Sequence, residues 1–230
     1  MTSFNDNYDY ILLDLDGTLV DSPKKKFLLY NTLGLFKRFR KVFGLLKTVP
    51  VVSRAIAAML KNSSSTGLTN YSVLVATCHR ESSTPEEIIR HELDLYYHND
   101  FLAWEKLFTA VPNALEFVKQ AKVRGKKMYI WTNPIWPEFN VKKRLEWAGF
   151  DTNDFEGFTH SQNAIGCKPN VEYYAYSLKL FNLDPSRCVL IGDSEYKDGP
   201  ARKVGIHTFI LSSDKAQSWT DLTEKLVLGN

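Results

Sequence analysis

Four short stretches carry residues whose types and spacing could do chemistry on a phosphate ester: Asp14-Leu15-Asp16-Gly17-Thr18, Thr132-Asn133, Lys168 within Gly166-Cys167-Lys168-Pro169-Asn170, and Asp193-Ser194 with Asp198 five residues after Asp193. Asp14 ends an apolar run, so its carboxylate is placed at a strand end where it could attack phosphorus and form a covalent aspartyl-phosphate. Asp16, two residues on, could point the same way because a strand has period two. There it could protonate the leaving oxygen and then activate the water that breaks the intermediate. Gly17 lets the chain turn tightly past the reacting group.

Two carboxylates against a phosphate dianion repel it, so such a site needs a cation, and oxygen-only ligands suit Mg2+. Lys168 precedes Pro169 and an expected helix, where anions are already favoured; its ammonium would neutralise Asp14 and the phosphate. Thr132 and Asn133 offer a hydroxyl and a backbone N–H suited to binding equatorial phosphoryl oxygens. Each stretch also has an ordinary reading. Asp-Gly is a common turn pair, a lone lysine is usually solvated, and Thr-Asn suits any strand-to-helix loop; only their joint placement favours chemistry.

The elements that must position these residues are apolar runs spaced widely enough to leave room for helices between them, the rhythm of a parallel α/β sheet. The runs are Tyr10 to Leu13, Lys127 to Thr132, a weaker Gly157 to His160, Cys188 to Gly192 and His207 to Leu211. Helix patterns lie between them at Pro112 to Arg124, Glu138 to Ala148 and Val171 to Phe181, closed by Gly125, Gly149 and Asn182. In an open parallel sheet ligands bind at the carboxyl ends of strands, which is where the four stretches fall.

Taken in this order, the four stretches resemble the motifs of the haloacid dehalogenase-like hydrolase superfamily. The resemblance implies a Rossmann-like parallel sheet formed by residues 1–22 and 109–230, with a mainly helical cap inserted at 23–108. It further implies that Asp14 is the nucleophile and Asp16 the general acid/base, with Mg2+ held by Asp14, the backbone carbonyl of Asp16 and Asp193. Asp198 is then expected to hold Lys168 or a metal-bound water. Dehalogenases of the superfamily lack an acid/base aspartate two residues after the first, so Asp16 favours a phosphatase acting on a small phosphorylated metabolite. A phosphomutase, which returns the phosphate to substrate, and a non-catalytic binding protein that uses the cap for an anionic partner stay open.

Within the cap, Thr84 and Glu87 form a capping-box pattern around Pro85, placing Ile89, Leu93 and Tyr96 or Tyr97 on one side, and Asn62 to Gly67 reads as a loop. Tyr30, Tyr96, Tyr97 and Trp104 suit either a substrate-facing wall or a core. From Pro23 to Lys61 the basic residues Lys24, Lys25, Lys26, Lys37, Arg38, Arg40, Lys41, Lys47, Arg54 and Lys61 meet no acidic residue. Interleaved with Leu33, Leu35, Phe36, Phe39, Val42, Phe43, Leu45 and Leu46, they describe a basic amphipathic stretch. A charged, solvated cap face is the reading preferred to a membrane surface or nucleic acid; overhanging the site, that face would favour anionic substrates.

The bulk composition is compatible with this. Across 230 residues, 44% hydrophobic content allows a sizeable core, and a net charge of +3 is too small to argue for nucleic-acid binding. Cys78, Cys167 and Cys188 show neither disulfide nor zinc spacing, and Cys167 reads as structural despite its position beside Lys168. The five histidines show no ligand spacing. With no signal-like N-terminus and no long apolar span, the expected setting is cytoplasmic.

Overall fold

A computed structural model describes residues 8–228. The expected core segment 1–22 thus has its first seven residues, and the segment 109–230 its last two, outside the described residues, as are the side chains of Lys24, Leu28 and Leu228. Five strands form one parallel sheet: β1 (Tyr10–Leu13), β4 (Lys127–Ile130), β5 (Gly157–Phe158), β6 (Cys188–Gly192) and β7 (His207–Ile210), in the order β5-β4-β1-β6-β7. A second ladder pairs β2 (Val20–Asp21) antiparallel with β3 (Thr109–Ala110). The fold is α/β and Rossmann-like, as the alternation of runs implies.

β1 and β6 lie inside the sheet with helices on both faces, which is why they read as unbroken apolar runs. Side chains alternate across the sheet. Ile11 and Leu13 enter the larger hydrophobic cluster, while Leu12 packs with Tyr129, Trp131 and Leu190 against Tyr173, Tyr174 and Leu178 of α7 (Val171–Phe181). The register aligns Leu13 with Ile130 on one side and Ile191 on the other. The three central strands therefore end within one residue of one another, β6 running on to Gly192, and the residues that follow them emerge side by side.

β4 and β5 are each two residues shorter than the apolar runs suggest. Trp131 N–H still donates to Leu13 O (2.8 Å) and Thr159 N–H to Ile130 O (2.8 Å). Beyond that, side chains take over the backbone: Thr132 O accepts from the Thr159 hydroxyl (3.1 Å) and the Tyr173 hydroxyl (2.9 Å). β7 likewise stops one residue before Leu211.

Between β2 and β3 lie α1 (Lys24–Phe43), α2 (Leu45–Leu60), α3 (Asn70–Ser82), α4 (Glu86–His98) and a 3-10 segment, Asp100–Leu107. α1 and α2 meet at Gly44 with a bend of 119°. No single helix among the described residues is long and apolar enough to cross a membrane, although this bent pair meets the criterion by length and composition. Asn62–Gly67 is a loop carrying one 3-10 turn, Ser64–Thr66. The capping box at Thr84 does not form. Pro85 itself caps α4 with no side-chain bond, and Thr84 instead gives its carbonyl to Nδ1 of His79 (2.8 Å). Because Ser83, at φ +60°, caps α3, only Ser83, Thr84 and Pro85 separate the two helices, and the chain is still turning where a capping side chain would have to fold back.

α5 (Ala114–Val123) and α6 (Glu138–Trp147) follow β3 and β4, each trimmed by a residue or more from its sequence pattern, whereas α7 coincides with it. α8 (Glu195–Asp198) and α9 (Lys215–Leu222) complete the chain with short 3-10 and π turns. An aromatic seam joins the helical segment to the sheet side: Phe101 lies 5.2 Å from Trp136 and stacks on Trp147 at 5.3 Å, between centroids.

A polar knot fastens the same two parts. Asn70, fully buried, donates from Nδ2 to Pro134 O (3.0 Å) and Gly166 O (2.8 Å), and its Oδ1 accepts from Gly166 N–H (3.0 Å) and Asn62 Nδ2 (2.9 Å). The first backbone N–H groups of α3, unpaired within the helix, donate to Ala164 O (3.0 Å) and Ser161 O (2.7 Å). Asn70→Ala would strand several buried polar groups without water. It is expected to lower the free energy of unfolding by roughly 3 kcal/mol in urea titrations, where a surface asparagine would change it by less than about 0.5 kcal/mol.

Candidate active site

The level strand ends bring Asp14, Thr132 and Asp193 to one edge of the sheet. Asp14 is the first residue past β1, fixed by its N–H donating to Ile191 O (2.9 Å), and its side chain is 10% exposed. Lys168 arrives from the loop before α7 and places Nζ between two carboxylates, 2.7 Å from Asp14 Oδ1 and 2.6 Å from Asp198 Oδ1. Its side chain is 1% exposed and that of Asp198 is not exposed at all. Burial alone would push the Lys168 ammonium down, but the attraction of Asp14 and Asp198 outweighs it and holds the lysine well above its ordinary value. Asp198 goes up, because desolvation and the nearby Asp14 charge exceed the help it receives from Lys168 and from the N–H of Ser194.

Two glycines make this closeness possible. A side chain at Gly17, which sits at φ +90°, would come within 2.1 Å of Asp193 Oδ2, and one at Gly192 within 2.3 Å of the Asp198 carboxyl. Oxygens of Asp14, Asp193 and Asp198 all lie within 4.8 Å of one another. Three hard oxygen donors so close match the ligand chemistry of Mg2+. They face two ammonium groups, Lys168 and Lys215, so the cluster keeps an excess of negative charge that a divalent cation would offset.

The other expected residues take less direct positions. Thr132 is buried at the end of β4, and Asn133 uses its side-chain Oδ1 to accept from Lys168 N–H (3.2 Å), fixing the lysine's backbone. The side chain of Asp16 turns to Arg144, whose Nη1 lies 2.7 Å from both carboxylate oxygens. Cys167 is buried, its thiol pushed up to about 12 by desolvation, so it is a packing residue. Among the described residues Cys78 and Cys188 are likewise free thiols and buried.

Sequence reasoning missed two charged residues here. Arg144 is fully buried in α6, donating from Nε to Asn140 O (3.2 Å), with its guanidinium 5.8 Å from the Trp136 ring centroid. It had a signal: Val141, Arg144, Leu145 and Ala148 share the helix spacing of a buried face, and an arginine in such a row requires an acid. Lys215, at the start of α9 just past β7, donates to Gly17 O and lies 3.4 Å from Asp193 Oδ2. Its signal was position alone, the carboxyl end of the last strand.

The basic stretch is only partly unpaired. Arg38 pairs with Asp100 (2.7 Å) and Glu92 (3.6 Å), and Arg54 with Glu81 (2.7 Å), all acids from later helices. Lys25, Lys26, Lys37, Arg40, Lys41, Lys47 and Lys61 are exposed.

Over residues 8–205 the sequence matches the family described as haloacid dehalogenase-like hydrolase. No sequence among curated proteins matches the chain significantly. Among solved structures, a HAD phosphatase from Thermococcus onnurineus is similar with a TM-score of 0.55 at 15% identity, over 90% of this chain and 87% of the other. A protein described as a predicted phosphoglycolate phosphatase from Haemophilus somnus 129pt gives 0.52 at 19% identity, over 90% and 86%. The L-2-haloacid dehalogenase of Xanthobacter autotrophicus gives 0.50 at 14% identity, over 96% and 84%.

Breaking the buried ion cluster is the sharpest test of this geometry. Lys168→Met leaves two carboxylates without their cation in a site that water barely reaches, and is expected to cost about 3–5 kcal/mol of stability in urea unfolding. Adding Asp198→Asn to that variant should recover part of the loss, since one of the two stranded charges is then gone.

Proposed function

The chain belongs to the haloacid dehalogenase-like hydrolases, and on that premise we propose that it is a Mg2+-dependent phosphatase that hydrolyses a small-molecule phosphate monoester through an aspartyl-phosphate on Asp14. The observation that carries the proposal is the pairing of a buried carboxylate, Asp14, with a buried ammonium, Lys168, at 2.7 Å on the sheet edge where Asp193 and Asp198 also converge. Relatives of this fold include proteins named as phosphatases and one named as a dehalogenase, so the fold does not choose between phosphorus and carbon as the centre attacked. Asp16 favours phosphorus, because a carboxyl two residues from the nucleophile is suited to give an ester oxygen the proton it needs on leaving.

In the proposed reaction a carboxylate oxygen of Asp14 attacks phosphorus, and the ester P–O bond breaks as the alcohol oxygen takes a proton from Asp16. Water then attacks the same phosphorus and gives a proton back to Asp16. Inorganic phosphate leaves and the Asp14 carboxylate is regenerated. The two acids are suited to different tasks by exposure: the Asp14 side chain is 10% exposed, that of Asp16 43%, so the first is a nucleophile shielded from water while the second can exchange protons with solvent. Arg144 acts through Asp16 as a positioning residue. Lys168 offers a positive charge to the phosphoryl oxygens, and the hydroxyl of Thr132 is suited to bind one of them. Mg2+, held by Asp14 and Asp193 with the backbone carbonyl of Asp16, would screen charge and orient the phosphoryl group.

The helical segment 23–108 is proposed to serve as a cap over this edge, and its exposed lysines as an electrostatic attractor for anionic substrates. Purified protein with Mg2+ is expected to release phosphate from a generic aryl phosphate. Asp14→Asn should reduce release to background and Asp16→Asn should slow it by about 10²–10⁴-fold; full activity in Asp14→Asn would overturn the nucleophile assignment.

A further inference from the structure

A cavity of about 360 Å3 lies among α1, α2, α3 and α4 and reaches the loop after β4. Its wall is overwhelmingly apolar, including Phe39, Ile56, Leu74, Tyr97, Ile135 and Trp136. Two polar groups on it are occupied within the protein: the Thr48 hydroxyl donates to Gly44 O (2.7 Å) and the Tyr96 hydroxyl to Asn31 Oδ1 (2.5 Å). Burial pushes the Cys78 thiol up to about 12, so it adds no charge. A wall with so little polar capacity gains from an apolar occupant and offers little to water or a sugar.

Three links tie this cavity to the reacting groups. Ile135 and Trp136 follow directly on Thr132-Asn133-Pro134, the stretch that ends at the sheet edge. Trp136 also lies against Arg144, which holds Asp16. On the other side, Met59 of the wall gives its carbonyl to the Cys167 thiol (3.7 Å), the residue before Lys168. The rim is apolar too: Val49 and Leu60 line the cavity and are 58% and 45% exposed, and Leu46, a turn before Val49 on α2, is 89% exposed.

We propose that this cavity receives the hydrocarbon part of the substrate, so that the phosphate monoester cleaved at Asp14 is amphiphilic, a phosphorylated alcohol bearing an alkyl or acyl chain. The inference rests on the phosphatase reading and sharpens it, replacing a generic metabolite by a chemical class. Exposed Lys47 and Lys61, at either end of α2, suit the approach of such a molecule, whose only charge is its anionic head.

The test is a homologous series of n-alkyl phosphates from ethyl to decyl, kept below their micelle concentrations, with Mg2+ present. Specificity, kcat/KM, is expected to rise about fourfold per methylene until the cavity is full and then to level off. Ile56→Trp, whose larger side chain narrows the cavity, should lower the decyl-to-ethyl ratio. A flat or falling series in an enzyme that turns over ethyl phosphate overturns the inference and leaves the phosphatase reading standing. If no ester is cleaved, that reading fails, and calorimetry with octylphosphonate and methylphosphonate still decides the cavity: octylphosphonate binding no tighter than methylphosphonate, or equally tight to Ile56→Trp, overturns it.

Discussion

Everything at the sheet edge depends on one ammonium group held between two carboxylates out of reach of water. Asp14 and Asp198 could not both be buried as anions at that spacing without Lys168 Nζ at 2.7 and 2.6 Å. The position of that lysine is in turn determined from outside the cluster. Asn133 holds its backbone N–H, and Asn70, reaching over from the helical segment, ties Gly166 two residues before it. The electrostatic balance of the site is therefore coupled to the packing of helices far from β1 in sequence.

The acids of the site sort into two environments. Asp14, Asp193 and Asp198 share one locus with Lys168 and Lys215, whereas the carboxylate of Asp16 is held by the guanidinium of a buried arginine. Two neighbouring aspartates thus acquire separate counter-charges although only one residue lies between them. The chain turns at Gly17, and the isolated bridge between Asp16 and Val20 marks where the regular pleat ends.

The sequence was most informative where one kind of residue has one physical use. Buried parallel strands must be apolar, so β1 and β6 were readable to the residue, and α7 was readable from its apolar spacing and its stop at Asn182. Asp14, Lys168 and Asp198 were legible as a set because acids and a lysine recur at strand ends. Asn70 was not, since an asparagine that serves as a four-way clamp looks like any surface asparagine until its partners, 64 and 96 positions away, are known. The ends of β4 and β5 failed by two residues where side-chain hydroxyls replaced ladder partners, and Thr84 failed because a proline displaced it. The basic run was visible as composition, but its pairing with Asp100, Glu92 and Glu81 is tertiary and had no local trace.

The short antiparallel ladder of Val20 with Ala110 and Asp21 with Thr109 places the departure of the helical segment beside its return. Val111 N–H closes it on Leu19 O at 2.8 Å, only a few residues from Asp16. An excursion that begins and ends at one point imposes no separation on the strands it interrupts. The sheet is thus indifferent to how many residues the excursion contains, and the helices between β2 and β3 are free to diverge in length and content across generations while the residues that follow β1 keep their geometry.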